Sequence, residues 1–362
     1  MEIDNSVITT SERRRGRGAQ SNVGGRFEAI QRSDEDDGWS SLETLGALRT
    51  EVVLEDARSI ITRNTSPDLS FDRSINPYRG CEHGCIYCYA RPNHAYVGLS
   101  PGLDFETRLF AKTNAAALLR RELGRRGYTP ATIALGAVTD PYQPIDRKFG
   151  ITREILEVLA ETQHPVGIVT KSAGVLRDLD ILAPMAAQGL AKVAISVTSL
   201  ERDVARKMEP RASSPAKRLE AVRALADAGV PVTVMTAPLI PALNDWEIEQ
   251  LLEAARDAGA SHASYVLLRL SHEIKTLFRE WLVSEFPDRA DRVINILREM
   301  RGGKDYDAAW GTRKVGRGPY AKQIMQRYRL ALRRLGLNAE RQRLRTDLFQ
   351  PPIQKGGQMR LI

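Results

Sequence analysis

The chain has 362 residues, 42% of them hydrophobic and 27% charged, with a formal net charge of +8; that is enough apolar material to bury a large core without disulfide staples. Its three cysteines all fall within the eight residues CEHGCIYC, which excludes a scaffold of paired bridges and points to a metal in a reducing compartment. No apolar run reaches the roughly 18 residues of a membrane span, and the N-terminus carries acids and RRRGRG where a signal peptide has its apolar core, so a cytoplasmic protein is expected.

Residues 1–45 are rich in Gly, Ser, Arg and Asp and poor in apolar groups, a composition that does not offset its ordering entropy, and are expected to be mostly disordered. Residues 46–70 lead into the core. From 71 to 270, short β-branched runs alternate with helical stretches, the pattern of βα units on a parallel sheet. A first strand is expected near Ser74 to Tyr78, with further runs at Arg108 to Ala111, Thr132 to Val138, Val166 to Thr170, Ala191 to Val197, Pro231 to Ala237 and Ala263 to Leu268. Helices are expected over Asn114 to Arg126, Ile151 to Thr162, Ala216 to Ala228 and Asp245 to Ala258, several closed by a glycine. This amounts to about six βα units, fewer than the eight of a closed barrel.

Residues 271–362 are expected to form a helical, basic extension. Helical spacing covers Ile274 to Phe286 and Arg289 to Met300, and a later helix aligns Tyr320, Ile324, Tyr328, Leu332 and Leu335 on one stripe, as a lid or docking helix would. From residue 291 onward there are 17 Lys/Arg against 6 Asp/Glu. That excess suits contact with nucleic-acid phosphates, with Tyr306, Trp310, Tyr320 and Tyr328 available for base stacking, and equally suits plain solvation.

In CxxxCxxC, Cys81, Cys85 and Cys88 supply three thiolates for a cubane 4Fe-4S cluster and leave its fourth iron without a protein ligand. A small molecule can bind there and receive an electron that starts radical chemistry. Gly84 permits the tight turn, and Tyr87 can lay its ring against a bound cofactor. The alternative for the same loop is a zinc-stabilised, non-catalytic nucleic-acid-binding module with His83 or His94 as fourth ligand.

The run CEHGCIYCYA, after a strand and opening a βα series, resembles the radical SAM superfamily and, by later motifs, its spore photoproduct lyase-like branch, over about Asn76 to Leu270. The resemblance implies an α/β fold, a partial (β/α)6 TIM-type barrel, with a 4Fe-4S cluster and S-adenosylmethionine (SAM) at the carboxyl ends of the strands. It also implies reductive cleavage of SAM to methionine and a 5′-deoxyadenosyl radical that abstracts hydrogen from a substrate, driven by a flavodoxin- or ferredoxin-type electron donor. Carried over motif by motif, Tyr87 and Tyr89 resemble aromatic neighbours of cluster and adenosine. Thr139 in AVTDPYQP resembles a contact to the methionine portion, with Asp140 beside it; Lys171 in VTKS resembles the cation for the SAM carboxylate or ribose. Ser196 resembles a ribose contact, Ala237 in TAPLIP the backbone beneath adenine, and Arg218 a further carboxylate partner. The branch's extra hydrogen-donor cysteine is absent, since the matching stretch reads Ala137 and Val138. Tyr89, Tyr96 and Tyr142 remain as candidates for a hydrogen-atom relay.

Overall fold

The computed structural model describes residues 14–27, 47–340 and 342–352. Most of the N-terminal segment expected to be disordered lies outside them, but residues 14–27 do not follow that expectation: Ala19, Gln20 and Ser21 are fully buried against the body of the molecule. Backbone hydrogen bonds account for this, because a polar, glycine-rich segment can be ordered by satisfying buried acceptors as well as by burying apolar area.

The strands are β1 Glu51–Leu54, β2 Ile61–Arg63, β3 Arg73–Ile75, β4 Tyr78–Arg79, β5 Arg108–Ala111, β6 Ile133–Leu135, β7 Val166–Thr170, β8 Ala191–Ser196, β9 Val232–Leu239 and β10 His262–Leu267. Seven of them form one sheet in the order β10-β9-β8-β7-β6-β3-β2. From β3 to β10 every pairing is parallel, and β2 closes the far edge antiparallel to β3. Sequential parallel order with helical crossovers is the α/β arrangement expected from the alternation. The crossovers include helices at Ala115–Leu123, Ile151–Glu161, Leu179–Ala187, Pro215–Asp227 and Ile248–Asp257. Ile155, Leu159, Leu182, Val222 and Leu251 of these helices join Ile133, Ile168, Val193 and Val232 of the strands in one core cluster.

Two elements depart from expectation. The run Arg108–Ala111 is a strand, but it belongs to a separate three-stranded sheet, β1-β5-β4. It pairs parallel with β1 and antiparallel with β4. Between β3 and β5 lie the cysteine loop, a 3-10 helix at Arg91–Val97 and a four-residue helix at Asp104–Thr107, in place of the long helical crossover that a parallel neighbour in the main sheet requires. The helix Leu179–Ala187 carries Pro184 inside it, a breaker signal that hides a helix from periodicity reading.

The extension is helical as expected, with helices at Ile274–Glu285, Pro287–Glu299 and Gly318–Leu335. The last is a docking helix. Ile324, Tyr328 and Ala331 pack on Ile248, Leu252 and Ala263, while Arg327 pairs with Glu249 at 2.6 Å and Arg334 with Glu253. Part of the tail's positive charge is therefore used within the chain. The stretch before this helix ties the two ends of the sheet: Leu267 N donates to Lys314 O at 2.8 Å, and Arg313 pairs at 2.6 Å with Asp68, in the loop between β2 and β3. Among the described residues no helix is long and apolar enough to cross a membrane.

Candidate active site

Six loops leave the C-terminal ends of the parallel strands, and they carry the residues singled out from sequence. Cys81, Cys85 and Cys88 follow β3, Thr139 and Asp140 follow β6, Lys171 follows β7, Ser196 ends β8, and Ala237 lies near the end of β9. This is the edge where parallel α/β folds collect their chemistry.

The cysteine loop is braced from several sides. Cys81 N donates to Phe105 O at 2.9 Å, Ile86 N to Met208 O at 3.1 Å, and Cys88 N to Cys85 O at 3.2 Å. Thr139 Oγ1 donates to Gly80 O at 2.7 Å, and Gln143 reaches both Thr139 Oγ1 and, through its oxygen, Glu82 N at 2.9 Å. Thr139 therefore supports the start of the loop.

All three cysteines are free thiols, Cys81 and Cys85 buried and Cys88 half-buried. Burial pushes the Cys81 and Cys85 thiols well up, helped by Asp140 at Cys81 and by Glu209 at Cys85 against the opposing Lys171, so a metal's positive charge is what would keep thiolates here. Among the described residues no three His, Cys, Asp or Glu side chains are grouped to hold one metal ion. A cubane needs no such convergence, because each thiolate meets a different iron. Zinc needs four ligands around one ion, and both histidines proposed for it are engaged: His83 Nδ1 stands 3.3 Å from Asp140 Oδ2, and His94 Nε2 lies 2.9 Å from Arg108 O. The residues present fit the cluster.

Beside the loop is a buried ionic group. Glu209 pairs with Arg218, both essentially without solvent exposure, and also accepts from Tyr87 OH and, at 2.9 Å, from Thr198 Oγ1. Arg218, expected as a cofactor carboxylate partner, already holds a carboxylate of this chain; its remaining donors go to Ser213 O and Ser196 O. Ser196 Oγ donates to Ala237 O at 3.2 Å. Lys171 differs from these. Its ammonium lies 5.7 Å from the Tyr87 ring centroid and has no hydrogen bond or ion pair with a described residue. Burial would lower its pKa, but Cys85 and Glu209 outweigh that and raise it. With Glu209 shared between two cations, the group has one positive charge to spare.

Asp140 is the other fixed charge. Burial alone would raise its carboxyl, but His83, with hydrogen bonds from Lys171 N and Thr170 Oγ1 at 2.7 Å each, pulls it down to about 2. An ordinary Asp-Pro turn needs no such shell, so Asp140 links the cysteine loop to the β7 loop.

The three tyrosines named for a relay are not brought together. Tyr89 OH donates to Ala137 O, in the stretch after β6, and its ring lies 5.8 Å from the Arg269 guanidinium. Tyr142 points into the core and donates to Asp178 at 2.9 Å. Tyr96 is exposed and packs on Phe27. Glu209 and Gln143 were not anticipated: the sequence offers no periodic signal that a carboxylate 121 positions after Cys88 returns to it.

These features gather three free cysteines and a set of buried charges at the strand ends of an α/β fold. The model of the Radical SAM superfamily matches residues 75–255, half of the chain, and the chain belongs to that superfamily and is a radical SAM enzyme. An uncharacterized protein of Mycobacterium tuberculosis is 37% identical over 232 residues, covering 64% of this chain and 68% of its own. One from Methanocaldococcus jannaschii is 26% identical over 222 residues, covering 61% of this chain and 79% of its own. Among solved structures, spore photoproduct lyase complexed with dinucleoside spore photoproduct matches with a TM-score of 0.55 at 19% identity, over 79% of this chain and 80% of that one. That likeness is one of fold. The superfamily match also overturns the non-catalytic zinc alternative.

Proposed function

We propose that Cys81, Cys85 and Cys88 hold a 4Fe-4S cluster whose fourth iron takes SAM, and that the chain acts on a substrate bound over the C-terminal edge of the sheet. Bound there, cluster and cofactor supply reductive cleavage of SAM to methionine and a 5′-deoxyadenosyl radical that takes hydrogen from the substrate. The observation that carries this reading is the Lys171 ammonium beside the cysteine loop, without a hydrogen bond or ion pair to a described residue, which suits the cofactor carboxylate. Tyr87, within the loop, faces that ammonium with its ring and is held by Glu209 through its hydroxyl. Thr139, Ser196, Arg218 and Ala237 form the supporting walls on this reading, and Tyr89, against Ala137, is the tyrosine best placed to meet substrate. Sequential strand order and the Asp68 tie support a partial (β/α)6 barrel over 71–270 with an extension over 271–362. Low-potential chemistry implies a reducing compartment and a flavodoxin- or ferredoxin-type donor.

A nucleic-acid substrate is favoured by one feature of this edge: the Arg269 guanidinium lies 5.8 Å from the ring centroids of both Tyr89 and Tyr306, an arrangement of the kind that holds bases. Binding is expected to weaken steeply with salt.

The test is anaerobic incubation with dithionite and SAM. The protein, brown and containing iron and sulfide, is expected to yield 5′-deoxyadenosine, and Cys85→Ala none. A Cys85→Ala variant that makes it at the original rate overturns the assignment.

A further inference from the structure

The cysteine loop has a second side, away from Lys171, and it is covered by residues near the N-terminus. Arg91 and Glu106 form an ion pair at 2.5 Å there, both wholly buried. Arg91 holds the loop: Nε donates to Cys85 O at 2.9 Å and Nη2 to Gly84 O at 3.2 Å, while Nη1 ties down Pro101 O and Gly102 O. Glu106 holds the N-terminal segment, accepting from Gly18 N and Ala19 N at 2.8 Å each. Arg17 Nη1 closes the arrangement on Glu106 O at 2.8 Å and Nη2 on Leu48 O at 3.0 Å.

The contact is backbone against backbone. A Cβ on Gly18 would stand 1.8 Å from Gly84 O, and one on Gly84, whose φ is +66°, would stand 2.7 Å from Glu106 Oε2. A Cβ on Gly102 would meet Ser21 O at 2.1 Å. Only glycine allows such approach without displacement of one chain. Glu106 is thus the shared acceptor of two elements, and Arg91 passes its position to the carbonyls that set the path between the first two cysteines.

We propose that Arg17–Ser21 is a positioning segment of the cluster site: acting through Glu106 and Arg91, it fixes the Gly84–Cys85 backbone and so the placing of the Cys81 and Cys85 sulfurs, and it shields the back of the loop from water. The proposal rests on the reading that these cysteines hold the cluster. Coupling of this kind is reciprocal, so a segment that stabilises the loaded loop is itself stabilised by loading.

The experiment compares the full-length protein with Gly18→Val and the milder Arg17→Ala. Hydrogen exchange is followed at residues 17–21 and 82–88 before and after anaerobic loading with iron and sulfide, together with iron loss to a chelator and the electron paramagnetic resonance (EPR) signal of the reduced cluster. In the unaltered protein, loading is expected to slow exchange at Gly18 and Ala19. Gly18→Val is expected to hold iron about tenfold more weakly or worse at equilibrium with the chelator, within the usual range of coupled sites, with a broadened signal; Arg17→Ala follows by a smaller factor. Equal iron loss and an unchanged signal in both variants, or Gly18 and Ala19 amides that exchange like a free peptide in the loaded protein, overturn the proposal. If the unaltered protein takes up no iron, the cluster assignment fails instead, and exchange at 82–88 in the metal-free variants still reads the contact itself.

Discussion

At the C-terminal edge of the parallel sheet Asp140, Glu209, Arg218 and Lys171 keep their charges in sheltered surroundings, because each faces an opposite charge or shares one. At the N-terminal edge, His164 is buried between Tyr128, whose OH is 2.9 Å from its Nε2, and the edge of the Phe349 ring, and burial holds it neutral, with its pKa down at about 4. The first edge holds its charges against one another in burial; at the second the imidazole gives its charge up, while neighbouring Arg73 keeps its own through Asp72 at 2.8 Å. The difference lies in partners: Asp140, Glu209 and Arg218 each have an opposite charge at hand, and His164 has none.

The sharpest way to break this comparison is at the most buried pair. Glu106→Ala leaves Arg91 as a buried cation without its partner and is expected to cost about 3–5 kcal/mol in chemical denaturation; Glu106→Gln, which still accepts hydrogen bonds, is expected to cost less. The opposite edge gives the next effect. Because the folded state depresses the His164 pKa, the unfolded chain takes up the proton first, so stability falls as pH drops from about 6.5 to about 4, by about 3 kcal/mol at most. His164→Asn should flatten that part of a pH series of denaturation curves. Removing the spare charge is a test of binding: Lys171→Met is expected to weaken SAM affinity by about 1.5–3 kcal/mol, or roughly 10- to 100-fold, in equilibrium dialysis with iron content unchanged. The smallest effect belongs to an exposed pair away from both edges, Arg334 with Glu253, where Arg334→Ala is expected to cost less than about 1 kcal/mol.

The alternation of β-branched runs and helical stretches made the parallel sheet legible, because strands buried on both faces must be short and apolar and crossovers must be amphipathic. The same reading put Arg108–Ala111 in the wrong sheet: four residues carry no record of which partner they meet, and what decides it is the lack of a long crossover after β3. Cys81, Cys85 and Cys88 were legible as one loop from their spacing, and the structure keeps them together after β3 on the C-terminal edge. Lys171, Thr139 and Ser196 were placed on the right edge by their motifs. Their partners were not, since Glu209 comes to Tyr87 over 122 positions and Glu106 to Gly18 over 88, and no local pattern encodes such returns. The segment RGRGAQS was expected to be disordered because its ordering comes from backbone hydrogen bonds to one buried carboxylate, which composition does not register.

The proposed radical chemistry needs an iron without a protein ligand in a cluster held by Cys81, Cys85 and Cys88. EPR spectra of the dithionite-reduced protein, recorded before and after SAM is added, read this directly. A signal that shifts on addition, and no longer shifts when S-adenosylmethionine is replaced by adenosine alone, is the predicted result; a signal that SAM leaves unchanged contradicts it.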